Sequence, residues 1–248
     1  MLDYAAVVLA VFVASVISGL GGFGGALIII VVLTPIVGAR AVVPLIAVYA
    51  VFSNISRIIV YRKTIDYRLA AWFTAASLPG VYVGANFLAA VPERALVAFI
   101  GAILIVTIPA RRYLKRRSFE PGVKTIVGFG LTFGFISGAA AGTGLLAIAA
   151  LLNMGLQGPL LLGTDAAIGI VNASSRVISY WSLDLLDRDL FVLGLLMGVA
   201  SFPGTWIASL IVRHIGIQLH GRLMEALLLA GGIWFLYKAV FSPFSASS

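Results

Sequence analysis

Two glycine clusters inside apolar segments limit what this chain can fold into more than any other feature. Residues Val16 to Gly25 read Val-Ile-Ser-Gly-Leu-Gly-Gly-Phe-Gly-Gly, and residues Phe135 to Gly144 read Phe-Ile-Ser-Gly-Ala-Ala-Ala-Gly-Thr-Gly. They stand 119 residues apart and agree at four of ten positions. Glycine at this density breaks a helix and lets another backbone or a ligand come close. A phosphate-binding loop is excluded, because the flanks are too apolar and no Lys-Ser/Thr follows. In a bilayer, irregular backbone survives only where it is packed in protein or lines a cavity. Each cluster is therefore expected to interrupt a helix at membrane depth.

The rest of the chain supports a membrane setting. Of 248 residues, 61% are hydrophobic and 10% are charged, more apolar surface than a soluble domain of this size can bury. The formal charge of +8 does not point to nucleic acid, because the basic residues crowd into short connections, above all Arg111 to Arg117. That is the pattern of the positive-inside rule and of contact with anionic headgroups. With no cysteine and only His214 and His220, thiol chemistry and a zinc or haem cluster are excluded, and no cofactor is expected. The first segment follows Met1-Leu2-Asp3 without a basic leader or a clear cleavage site, so it is expected to remain in the mature protein.

Charges and turn residues mark off eight apolar segments, at 5–33, 41–61, 67–90, 95–110, 123–152, 158–181, 189–212 and 219–241. Most match a single crossing of about 20 residues. The first and fifth are longer, and they carry the glycine clusters. Each is either a broken span or a re-entrant hairpin whose half-helices meet at the glycines. The predicted fold is thus an all-α polytopic membrane protein.

The 119-residue offset extends beyond the clusters. It aligns Ser53 to Tyr61 with Asn172 to Tyr180, matching Ser56, Arg57, Ile59 and Tyr61 with Ser175, Arg176, Ile178 and Tyr180. After a short insertion near Asp184, Pro79-Gly80 aligns with Pro203-Gly204, and proline at such positions favours a kink. The chain therefore reads as two pseudo-symmetric repeats of four segments, 1–118 and 119–248, within one membrane unit. Such repeats with matching helix breaks indicate a secondary transporter. Parallel and inverted halves distribute the basic residues equally well; the over-long broken segments favour inverted halves.

Among the basic residues, Arg57 and Arg176 are the two inside segments, and they are repeat mates. Helical spacing puts Arg57 on one face with Ser53, Ser56 and Tyr61, beside Asn54. It likewise puts Arg176 with Asn172, Ser175 and Tyr180. A guanidinium fork surrounded by hydroxyls and amides is an oxyanion receptor. Half-helices ending at Ser18, Gly19, Gly22 and Gly24, and at Ser137, Gly138, Gly142 and Thr143, would add N–H and hydroxyl donors. The plainer reading of those glycines is close helix packing by small residues. Snorkelling to the interface is the plainer reading of the arginines. Tyr61 and Tyr180 read as interfacial anchors, Trp72, Trp181 and Trp234 as belt residues, and Glu225 with Arg222 as a surface pair. Asp165 is the one carboxylate well inside a segment of the second half. It shares a face with Asn172 and Arg176, and proton coupling is the role expected of it, against the alternative of a wet helix end.

The paired motifs Ser18 to Gly25 and Ser137 to Gly144, with the Ser56-Arg57 and Ser175-Arg176 segments and the four-plus-four duplication, resemble the sulfite exporter TauE/SafE family, also described as toluene-sulfonate uptake permeases. The resemblance covers nearly the whole chain. It lacks the proline that the family often carries after the first cluster, and alanines soften the second motif. It implies a transporter of sulfite or another small organic anion in the prokaryotic cytoplasmic membrane (the cell inner membrane), coupled to protons. The partners it implies are a small anion, protons and the lipid bilayer, without nucleic acid; a homodimer is allowed. A small carboxylate carrier or an anion channel is the alternative. An intramembrane enzyme would need a histidine at membrane depth, and neither histidine qualifies. A structural membrane protein would have no use for the paired arginines.

Overall fold

The computed structural model describes residues 37–116, 122–141, 143–212 and 232–241, together with 26, 29, 30, 33, 34, 229 and 230; over 202–212 it describes the backbone alone. Ser18, Gly19, Gly22, Gly24 and Gly142 lie outside these residues. So do His214, His220, Arg222 and Glu225.

Among the described residues every regular element is helical. The helices are α1 (Ala39–Tyr61), α2 (Tyr67–Ala90), α3 (Glu93–Arg116), α4 (Val123–Ala139), α5 (Gly144–Asn153), α6 (Gly158–Ser182), α7 (Arg188–Val212) and α8 (Gly232–Phe241). Stretches over Ala39–Ile59, Tyr67–Ala90 and Glu93–Ala110 are long and apolar enough to cross a membrane. The chain is a multi-pass membrane protein.

Local chemistry sets the boundaries. Asp66 Oδ1 accepts the Leu69 N–H at 2.9 Å and starts α2, and Asp187 Oδ1 accepts the Leu190 N–H at 2.8 Å to start α7. Between α5 and α6 the chain turns through Gly155 (φ 90°) and Gly158 (φ 55°), a backbone region open to glycine. Pro79 lies inside α2 and does not end it.

Contacts between helices fix their directions. Arg40 Nη2 donates to Val91 O at 2.7 Å and the Ala39 N–H donates to Glu93 Oε1 at 3.2 Å, so α1 starts where α2 ends. α1 and α6 are antiparallel: Arg57 meets Asp165, Asn54 lies against Gly169, and the Tyr61 and Thr64 carbonyls face Gly163. α2 and α4 run parallel, with Gly130, Gly134 and Gly138 against the backbone of Phe73, Ser77 and Val81 in turn. α2 also runs parallel to α6, since the Asp66 N–H donates to Thr164 Oγ1 (3.0 Å) and Ser77 meets Asn172.

Among the described helices the α2–α4 seam is the closest. A Cβ at Gly134 or Gly138 would strike the carbonyl of Ser77 or Val81, and one at Gly80 or Gly84 would strike the backbone of α4. Small residues at four-residue spacing allow this approach, which replaces hydrophobic driving force with contact area where lipid is the solvent.

The fifth apolar segment divides in two. α4 ends at Ala139, Ala140 is extended, and α5 begins at Gly144, within the second glycine cluster. Ala140 and Ala141 join the buried cluster of Ala85, Leu88 and Tyr180, deep along α2 and α6. Leu151, Met154 and Leu156 instead join Leu69, Ala70 and Ile126, near the starts of α2 and α4. α5 therefore doubles back towards the end of the bundle at which α4 began.

Candidate functional site

α6 carries the site because it lies against both α1 and α2. Asp165, Asn172, Arg176 and Tyr180 recur at helical spacing and are all buried, at 6%, 2%, 8% and 0% exposure. The stripe has three levels.

At the first level Asp165 Oδ2 accepts from Arg57 Nη2 at 2.6 Å. The same guanidinium donates to Leu162 O at 3.3 Å and, through Nη1, to Asn54 Oδ1 at 3.4 Å. The structure thus joins two residues to which the sequence assigned separate roles, anion contact for Arg57 and proton coupling for Asp165. A carboxylate and a guanidinium in such contact each satisfy the other's charge, which matters most where water is excluded.

At the middle level Ser77 Oγ lies 3.0 Å from Asn172 Oδ1 and 2.8 Å from Thr74 O, and Asn172 Nδ2 donates to Ile168 O at 3.1 Å. Ser77 was not among the expected site residues. Its signal was present, because it starts a stripe of small residues with Gly80 and Gly84.

At the third level Arg176 Nη1 donates to Ser137 O at 3.3 Å, and Tyr180 Oη donates to Gly138 O at 2.7 Å. Both acceptors belong to the last turn of α4, whose carbonyls have no partner within the helix. Arg176 Nε is buried without a hydrogen-bond partner. Among the described residues Arg176 also has no carboxylate partner. Tyr180 corrects the reading of it as an interfacial anchor: it is fully buried, because its hydroxyl is consumed by a carbonyl exposed where α4 ends.

The other expected residues gather around these levels. Ser53, Ser56 and Ser175 are partly buried on their helices, and Ser56 Oγ donates to Ser53 O at 2.8 Å. Ser137 is buried and its hydroxyl donates to Gly134 O at 3.0 Å. Thr143, 4% exposed, stands at the start of α5. Gly138 serves the α2–α4 seam as well as accepting from Tyr180. Of the tryptophans read as belt residues, Trp72 and Trp181 are about half exposed, whereas Trp234 packs partly buried against the core.

Chemically, the levels differ in charge. Arg57 faces a carboxylate, whereas among the described residues Arg176 faces only neutral acceptors at a break between two helices. A buried guanidinium of that kind, with a free N–H, is one anion short of neutral.

No curated protein and no solved structure matches the chain. The model of the family described as sulfite exporter TauE/SafE matches residues 7–235, from the first apolar segment into α8. With that match over nearly its whole length, the chain belongs to the sulfite exporter TauE/SafE family.

Proposed function

We propose that this transporter carries a small oxyanion, sulfite or an organosulfonate, bound at Arg176 where the second glycine cluster separates α4 from α5. The observation that carries the reading is the Arg176 guanidinium: buried, bonded to one carbonyl, and left with an unpartnered Nε. A sulfonate or sulfite presents several acceptor oxygens to such a fork. The first N–H groups of α5 open at the same break and favour negative charge.

The repeat reading extends the site. Ser53 to Tyr61 and Asn172 to Tyr180 are repeat mates, and they sit on helices of opposite direction, α1 and α6. That opposition, with the doubling back of α5, supports inverted repeats 1–118 and 119–248 and a re-entrant hairpin at each glycine cluster. Pseudo-symmetry would then bring Ser18, Gly19, Gly22 and Gly24 towards the anion opposite Ser137, Gly138, Gly142 and Thr143.

The test is flux of sulfite and methanesulfonate in proteoliposomes, for the wild type and Arg176→Ala. Flux that disappears with the arginine, in protein that still elutes as a single species, supports the site. Full flux in the variant overturns it. Small carboxylates that compete as well as sulfonates would favour the carboxylate carrier.

A second reading concerns the coupling ion and is favoured by the buried Arg57–Asp165 contact. Proton uptake at Asp165 would release Arg57 to the substrate. Asp165→Asn would then carry anion without response to a pH gradient. An unchanged response would remove Asp165 from proton coupling.

A further inference from the structure

Among the described residues, three charged side chains stand within the apolar segments and form the buried stripe: Arg57, Asp165 and Arg176. The first glycine segment, 5–33, contributes no charge. Arg57 and Asp165 are in contact at 2.6 Å with side-chain exposures of 12% and 9%, so their charges cancel locally. Among the described residues Arg176 has no carboxylate partner, and its buried Nε is unused. The polar stripe therefore holds one net positive charge.

A net charge in a low-dielectric interior is strongly unfavourable, and a ligand that cancels it is favoured over one that reverses it. We infer that the site selects a monovalent anion, and that Asp165 is the residue that sets this valence by neutralising Arg57. The inference rests on the proposed anion site at Arg176. It gives Asp165 a standing charge to hold rather than a proton to exchange. Divalent anions, the doubly charged form of sulfite included, are disfavoured because they would leave one negative charge unmatched, not because they are too large, so hydrogensulfite is the form of sulfite that the site would take. This is specificity by an unfavourable alternative.

Four proteins spanning three stripe charges test the idea. The wild type carries +1, Asp165→Asn carries +2, Arg57→Gln carries zero, and the double variant Arg57→Gln/Asp165→Asn returns to +1. Uptake of methanesulfonate, which has one charge, is measured in proteoliposomes with equal pH on both sides. Sulfate serves as the competitor, similar in size and with two charges.

In the wild type, sulfate should compete poorly. In Asp165→Asn its competition should strengthen about tenfold relative to methanesulfonate, the response to about 1.4 kcal/mol. Arg57→Gln should lose methanesulfonate uptake, and the double variant should recover both uptake and monovalent preference. If Asp165→Asn does not fold, Arg57→Gln against the double variant decides the matter: recovery supports charge balance, and no recovery overturns it. Wild-type protein that takes sulfate and methanesulfonate equally well would also overturn the inference while leaving the Arg176 site intact. Methanesulfonate uptake that survives Arg176→Ala would instead sink the site itself.

Discussion

Tyr180 Oη donates to Gly138 O at 2.7 Å, beside the Ser137 carbonyl that Arg176, one turn earlier on α6, reaches at 3.3 Å. Two side chains of α6 thus satisfy two successive carbonyls at the end of α4. The break in the glycine cluster is held open by hydrogen bonds rather than by glycine alone.

Tyr180→Phe removes one of these bonds and leaves a buried carbonyl unpaired. The loss is expected to be about 1–3 kcal/mol. For a chain of this size that corresponds to about 2–4 °C in Tm for each kcal/mol. Thermal unfolding in detergent checks it, and an unchanged Tm would mean that the carbonyl finds another donor.

Along α4, glycines divide into those in the seam and those outside it. Gly134→Ala places a methyl on the Ser77 carbonyl, so folded yield should collapse. Gly128 is exposed and a Cβ there meets nothing within 4 Å. Gly128→Ala should therefore be neutral or stabilising by up to about 1 kcal/mol, the helix propensity difference. Equal tolerance at both positions would contradict the seam.

Arg176→Lys keeps the charge and loses the fork. The substrate KM should rise by about tenfold or more while the protein folds normally, because a point charge cannot hold two oxygens and a carbonyl at once. Concentration-dependent flux measures this. An unchanged KM would show that only the charge matters.

Asn172→Asp places a carboxylate one turn from Arg176, on the same face. It should act as a tethered competitor for the guanidinium and abolish anion flux without loss of folded protein. Asn172→Gln is the control that keeps the amide.

The absence of cysteine makes topology accessible by labelling. Gly122, Gln157 and Asp189 are exposed. Cysteines at 122 and 157, which flank α4 and α5, should react from one side of the membrane, and a cysteine at 189 from the other. Opposite accessibility of 122 and 157 would mean that the segment crosses.

Much of the helical layout is visible in the sequence because apolar length and charge placement carry it. The segments read as 67–90, 158–181 and 189–212 fall within a residue of α2, α6 and α7. The interruption of 123–152 was also legible, since the glycine cluster at Ser137 to Gly144 is where the helix breaks, between Ala139 and Gly144. What could not be read is partnership across the chain. Arg57 and Asp165 are 108 residues apart, and nothing local shows that the start of α6 lies beside the end of α1. Repeat alignment drew attention to Arg57 and Arg176 as equivalents, yet Asp165 faces Ile46 in that alignment, so the partner of one arginine has no counterpart for the other. Tyr180 was misjudged for a related reason: a tyrosine near a segment end looks amphipathic until an unpaired carbonyl is found beside it.

The α2–α4 seam has a mechanical consequence. With backbone against backbone at Gly134 and Gly138, no side chain separates the helices along this line, and the Phe73–Phe133 and Phe87–Phe135 ring contacts flank it. The seam behaves as a weld, and any displacement of α2 carries the tip of α4, and with it the Ser137 and Gly138 carbonyls. Movement that exposes Arg176 to one side or the other must then be borne by α6 shearing past this welded pair. The bonds from Arg176 and Tyr180 are the contacts that such a stroke would break and remake.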